Sequence, residues 1–177
     1  MRLNASKKLS LGAMVTALTV LCLYAVCVLP WSKLACCFLS SIFIYILSGE
    51  GAYFYAFASF AASAALSFFI LPQKEILFAY VILFGHYGIF RAWADARIKD
   101  RFIRFFSKLL YSNAFCAIGL LVLLRVLSYD LSSMLPAWSL WVLVIALEGA
   151  FVAYELLYGV CVRIYNASIR NQLLPRR

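Results

Sequence analysis

Long apolar runs separated by short polar stretches dominate the pattern of this chain. Most of these runs reach the roughly 18–20 residues that a helix needs to cross the hydrocarbon core of a bilayer. The predicted spans are residues 9–29, 34–48, 52–71, 76–94, 109–127 and 137–165. The second run is short, so it crosses only if its ends snorkel or the bilayer thins locally. The pattern predicts an all-α, polytopic bundle of six transmembrane helices, forming one domain over residues 1–177.

Composition favours the same class of protein. Hydrophobic residues make up 66% of the chain and charged residues 13%, whereas a soluble domain has about 45–50% and about 25%. The net charge of +9 is also typical of nucleic-acid-binding proteins. Here the positive charges lie at the ends of apolar runs, where they set topology and contact anionic lipid headgroups. We therefore expect the lipid bilayer as a partner, and no nucleic acid.

The distribution of basic residues predicts how the chain is threaded. With six spans and a cytoplasmic N-terminus, thirteen of the 16 Lys and Arg residues fall on the inner side, and only Lys33, Lys74 and Arg125 on the outer side. Lys and Arg near spans stay preferentially in the cytoplasm. Reading the second run as a re-entrant loop would give five crossings, which the count opposes. We predict a multi-pass cell-membrane protein with both termini cytoplasmic.

The densest basic cluster covers residues 97–108, directly after the fourth span. This segment is predicted to be amphipathic and to lie at the membrane interface. Its apolar contribution comes from Ile98, Phe102, Ile103, Phe105 and Phe106.

Four ionisable residues within the apolar runs are the main candidates for function. An ionisable side chain at membrane depth is costly and usually faces the bundle interior or a water-filled cavity. With a rise of about 1.5 Å per residue, His86 and Glu148 fall at a similar depth, and so do Arg91 and Glu155. We predict that His86 faces Glu148 and that Arg91 faces Glu155 across two touching helices. Arg91 can instead pair with Asp95, four residues further along the same helix.

Two interpretations of these polar residues stay open. One is a polar pocket, or a path for a proton or ion, with His86 and Glu148 at its centre. The other is hydrogen bonding between helices, which contributes only about 0.6 kcal/mol per bond on average in membranes.

Two further patterns concern the ends and faces of the spans. Trp31, Trp138 and Trp141 lie toward the outer side, where tryptophan anchors helices at the interface, or they line a pocket for a flat ligand. Ala13 and Ala17 lie four residues apart in the first span, and small residues at this spacing let helices approach closely. We predict that this pair forms an external docking face.

No catalytic pattern is found in the sequence. The chain has one histidine and no nucleophile elbow, P-loop or HExxH motif. Its six cysteines lie in or beside apolar runs without metal-binding spacing. We therefore expect no enzymatic activity, no metal and no cofactor.

Six spans, cytoplasmic termini, about this chain length and Ala13-x-x-x-Ala17 together resemble the S component of energy-coupling factor transporters. The resemblance implies that the chain captures a small molecule near the outer face. It also implies that Ala13 and Ala17 dock on a transmembrane coupling subunit driven by two ATPases. His86, Glu148, Trp31, Trp138 and Trp141 would then bind the substrate.

A second resemblance comes from the stretch beginning at Phe84, which reads Phe-Gly-His-Tyr-Gly-Ile-Phe-Arg. It is similar to an FGYYPxxK…E pattern of small uncharacterised membrane proteins of clostridial type. The chain departs from that pattern with His86 for Tyr, Gly88 for Pro and Asp95 for Glu. In size and span count the chain is also similar to the cell-shape protein MreD. The alternative prediction is therefore a structural or scaffolding protein of the cell envelope.

Overall fold

The computed structural model of the chain describes residues 4–29, 31, 33–126 and 139–169. These residues form six helices and no strand. The helices are α1 (Ala5–Val28), α2 (Lys33–Gly49), α3 (Tyr53–Ile70), α4 (Lys74–Arg97), α5 (Arg101–Val126) and α6 (Ser139–Ile164). A π-helical segment, Tyr80–Phe84, lies inside α4, and a second one, Tyr165–Ile169, follows α6.

Five of the six helices are long and apolar enough to cross a membrane, and α2 is a shorter apolar helix. The prediction of an all-α membrane protein is confirmed to this extent. That all six helices cross, and that both termini share one side, stay predictions.

The largest difference from the predicted boundaries is at the start of α5. Residues 97–108 do not form a segment of their own. Arg97 ends α4, and α5 begins at Arg101 rather than at Leu109. The carbonyl of Asp100 accepts the first helical hydrogen bond, from Arg104 N at 3.0 Å, and Asp is a favoured residue before a helix. No proline or glycine follows until Gly119, so the helix continues unbroken into the apolar run.

The chain divides into two compact units, residues 1–120 and 121–177. The single domain over residues 1–177 stays a prediction. In the first unit, α1 packs against α2 and α3, and α2 packs against α3 and the Tyr87–Arg97 part of α4. Gly51, with φ of 74°, supplies the left-handed turn between α2 and α3, a conformation that glycine adopts without steric cost. In the second unit, α6 buries Tyr158.

Helix α3 shows why these residues pack as they do. Its buried face carries Ala56, Ser59, Ser63 and Ser67, and its exposed face carries Phe54, Phe57, Phe68 and Phe69. This distribution is the reverse of a water-soluble helix. On a surface that faces lipid, large apolar side chains gain no free energy by becoming buried. Small residues let two helix backbones approach closely, and serine places a hydroxyl where it can form a hydrogen bond between helices. Ser59 accordingly donates a hydrogen bond to the Gly12 carbonyl of α1 at 3.2 Å.

Candidate functional site

The polar residues of α4 form two clusters, and the first begins at the π-helical segment. The amide of Gly85 donates to the carbonyl of Tyr80 at 2.7 Å, which is the five-residue spacing of a π-helical turn. Such turns are rare and are frequent at functional sites. Gly85 faces Phe60 so closely that an added Cβ would overlap that ring and lie 3.0 Å from Tyr80 Cζ. Because glycine has no side chain, Gly85 lets α4 approach α3 closely at this level.

Tyr80 and Ser63 form a buried hydrogen-bonded pair, and both are fully buried. Their hydroxyl oxygens lie 2.7 Å apart, and Ser63 Oγ lies 2.9 Å from the carbonyl of Phe60. A carbonyl only accepts, so the hydroxyl hydrogen of Ser63 goes to Phe60. The phenol of Tyr80 is then the donor to Ser63. These two hydrogen bonds give both hydroxyls a partner in the apolar interior, where burying a hydroxyl without a partner costs free energy.

His86 is half-buried, and both ring nitrogens have partners within the first unit. Nε2 lies 2.7 Å from the carbonyl of Ile82, and Nδ1 lies 3.2 Å from the hydroxyl of Tyr111. Nε2 must be the donor, because the carbonyl only accepts. In the neutral ring Nδ1 then accepts a hydrogen bond from Tyr111. The ring is held between its own helix and α5.

Aromatic side chains surround this histidine. The ring centroid of His86 lies 3.9 Å from that of Phe115, 5.5 Å from that of Tyr111 and 6.4 Å from that of Phe60. Tyr111 is itself stacked on Phe90, with centroids 3.7 Å apart and planes 3° from parallel. We define His86, Tyr80, Ser63 and Tyr111 as the neutral cluster. It is polar in chemistry and enclosed by aromatic rings.

The second cluster is centred on Asp95, near the C-terminal end of α4. Its carboxylate lies 3.6 Å from Arg91 Nε, 3.5 Å from Arg104 Nε and 2.7 Å from Lys108 Nζ. Arg91 and Lys108 are buried, at 5% and 3% exposure, so a nearby anion is needed to hold them there. We define Asp95, Arg91, Arg104 and Lys108 as the ionic cluster. It ties the end of α4 to the start of α5.

The predicted pairing of Arg91 with Asp95 is therefore present. The predicted contacts of His86 with Glu148 and of Arg91 with Glu155 involve residues of the two separate units, and they stay predictions. Glu148 and Glu155 are half-buried on α6.

The remaining predicted residues lie at the surface or outside the described region. Ala13 and Ala17 are both exposed on α1. Trp31 is 99% exposed between α1 and α2. The predictions for Trp138 and for the side chain of Trp141 lie outside the described residues.

Sequence reasoning missed five contributors to the two clusters. Ser63, Tyr80 and Tyr111 were not named as candidates for function, and Arg104 and Lys108 were assigned only to the basic segment 97–108. A signal was present for Lys108, because it follows Arg104 by one helical turn. Tyr111 follows Lys108 by three residues and continues the same polar face.

No family model, curated protein or solved structure matches this chain.

Proposed function

We propose that this chain is a non-enzymatic subunit of a membrane transporter that captures a small molecule at the outer face and docks on a separate, energised coupling subunit. The observation that supports this proposal is the division of α1 into a buried face and an exposed face. Gly12, Val15, Thr19, Leu23 and Val26 are buried. Ala13 and Ala17 lie outside that face and are exposed. Two small residues four apart on an open face leave room for the close approach of another helix.

The proposal includes six crossings of the cell membrane with both termini in the cytoplasm. The short α2 has 17 residues, which reach across the hydrocarbon core with local thinning. Thirteen of the 16 basic residues then lie on the cytoplasmic side, which agrees with the positive-inside rule.

The substrate would bind at the outer ends of α1 and α2, beside Trp31. Its exposed indole lies in the connection between these helices, and an exposed aromatic ring supplies a flat apolar surface for a ligand. That Trp138 and Trp141 add to this surface, and that His86 with Glu148 forms its polar floor, stay predictions from the sequence. Enclosure with a few directed polar contacts is typical of small-molecule sites.

Affinity purification from solubilised membranes tests the docking part. We expect two ATPases and the transmembrane coupling subunit to be purified together with the wild-type chain. Ala13→Trp and Ala17→Trp should each lose them, because an indole separates the helices. The matched controls are Ala58→Trp and Ala62→Trp, which replace exposed alanines four apart on α3 and should retain the partners.

Mass spectrometry of the purified wild-type protein tests the capture part by identifying a co-isolated small molecule. Equal recovery of partners by the Ala13, Ala17 and control variants would contradict docking through α1. Wild-type purifications with neither ATPases nor a bound small molecule would contradict the transporter proposal as a whole.

A scaffolding protein similar to MreD is the second candidate, and two observations favour it. Both nitrogens of His86 have partners in the first unit, and the Asp95 carboxylate is shared among three cations. Polar groups used in this way hold helices together rather than contact a ligand. Recovery of cell-wall machinery in the same purification would support this candidate.

A further inference from the structure

In the first turns of α5, two of the three basic residues face inward, and large apolar residues face outward. Lys108 is buried and Arg104 is half-buried, and both lie in the ionic cluster. On the outside, Phe102 is 79% exposed, Phe106 63% and Leu110 72%. These three residues are four apart and form one stripe along the helix.

An apolar stripe of this size on a helix surface indicates contact with lipid rather than with water. The stripe starts at Phe102, so the edge of the hydrocarbon layer lies near the beginning of α5. Residues just before this edge lie at the level of the lipid headgroups.

Three cations lie at that level and outside the ionic cluster. Arg97, Lys99 and Arg101 are exposed, and within the described part of the chain no carboxylate lies within ion-pair distance of their side chains. Asp100 is the one acid between Arg97 and Arg101, so the segment keeps an excess of positive charge. We define Arg97, Lys99 and Arg101 as the basic rim.

We propose that the basic rim binds the phosphate groups of anionic phospholipids, and that the Phe102 stripe rests on their acyl chains. The two features complement the two parts of one lipid molecule. Cations at a membrane surface are attracted to anionic headgroups, and each adds a several-fold preference. Arg104 and Lys108 do not contribute to this lipid site, because both form ion pairs with Asp95. The inference rests on the membrane embedding of α5 and not on docking through Ala13 and Ala17.

Trp93 provides a reporter close to the rim. It is 46% exposed and lies one helical turn before Arg97 on the same face of α4. The full-length chain with Trp31, Trp138 and Trp141 changed to Phe keeps Trp93 as the one tryptophan. It is reconstituted in vesicles that contain phosphatidylcholine and phosphatidylglycerol, with bromine on the acyl chains of one lipid or of the other. Bromine quenches tryptophan fluorescence on contact, so the ratio of quenching reports which lipid is bound there.

We expect brominated phosphatidylglycerol to quench Trp93 more strongly at equal mole fraction. In the triple variant Arg97→Gln, Lys99→Gln, Arg101→Gln the relative affinity for phosphatidylglycerol should fall about tenfold or more. The matched control, Lys7→Gln, Lys33→Gln, Arg163→Gln, removes three exposed cations elsewhere and should keep the preference. Unchanged far-ultraviolet circular dichroism and monodisperse gel filtration establish that each variant is folded.

Three results would overturn the proposal. The first is equal quenching of Trp93 by the two brominated lipids in the protein whose basic rim is unchanged. The second is a preference that survives in the folded rim variant. The third is displacement of phosphatidylglycerol by millimolar inorganic phosphate, which would assign the rim to a soluble phosphate. Each of these results leaves the purification test of Ala13 and Ala17 unaffected.

Discussion

The neutral cluster and the ionic cluster both include residues of α4, but the two clusters differ in their chemistry. His86 is at the middle of Lys74–Arg97, and Asp95 is close to its end. Their separation is about 13 Å at the usual rise of about 1.5 Å per residue. Near the middle, polar atoms are hydroxyls, an imidazole and backbone carbonyls. Near the end, they are a carboxylate, two guanidinium groups and an ammonium group.

The difference follows from what each group loses when it leaves water. A hydroxyl needs one or two hydrogen bonds to replace those with water, and a neighbouring helix supplies them. A full charge loses far more, and its cost in a membrane falls steeply toward the headgroups. The ionic cluster can exist where α4 and α5 meet the interface. The comparison predicts that the ionic cluster is the more sensitive to loss of one member.

Changing Asp95 to Asn should have the largest effect on stability. The substitution keeps the shape of the side chain but removes the negative charge that Arg91, Arg104 and Lys108 share. Breaking a buried ion pair costs about 3–5 kcal/mol. Because Asp95 is partly exposed, we expect the free energy of unfolding to fall by about 2–4 kcal/mol. The measurement is reversible unfolding of the purified protein in mixed detergent micelles.

Asp100→Asn is the control for this change. Asp100 is exposed, five positions further along the chain, and its replacement should alter stability by no more than about 0.5 kcal/mol. Equal losses for the two variants would show that the ionic cluster does not stabilise the fold.

Gly85→Ala should have the next largest effect, and it tests the packing of the neutral cluster. The new Cβ would overlap the ring of Phe60, and overpacking of this kind costs about 1–3 kcal/mol. The cost should shrink in a Phe60→Ala background, because the ring that obstructs the methyl group is then absent. Gly149→Ala on α6 is the control, since no atom lies within 4 Å of the position of its Cβ. That control should leave stability unchanged or raise it by up to about 1 kcal/mol. If Gly85→Ala left the free energy of unfolding unchanged, α3 and α4 would not be in close contact at Gly85.

Much of the fold was predictable from sequence, because long apolar runs set where membrane helices form. The pairing of Arg91 with Asp95 was also predictable, since four residues along a helix bring two side chains together. The π-helical segment Tyr80–Phe84 was not, because no residue in it breaks a helical pattern. The approach of Tyr111 to His86 depends on which face α5 turns toward α4. Lys108 and Tyr111 mark one polar face of α5 in the sequence, but this pattern does not specify which neighbouring helix that face contacts.

Removal of the Tyr80 hydroxyl should have the smallest effect, and its comparison with removal of the Ser63 hydroxyl tests the direction of donation within the neutral cluster. Ser63→Ala removes the acceptor of a fully buried phenol, and an unpaired buried donor costs about 1–3 kcal/mol. Tyr80→Phe removes the donor but leaves Ser63 bonded to the carbonyl of Phe60, so the loss should be only about 0.6 kcal/mol.

The double variant sharpens this test, because it removes both hydroxyls and leaves no buried phenol without an acceptor. The free energy of unfolding of the double variant should therefore be closer to that of Tyr80→Phe than to that of Ser63→Ala. The three variants are compared in the same detergent unfolding assay as Asp95→Asn. If Tyr80→Phe were more damaging than Ser63→Ala, the serine hydroxyl would be the donor to Tyr80. The carbonyl of Phe60 would then not be its acceptor, and the order of the hydrogen-bond chain would be reversed.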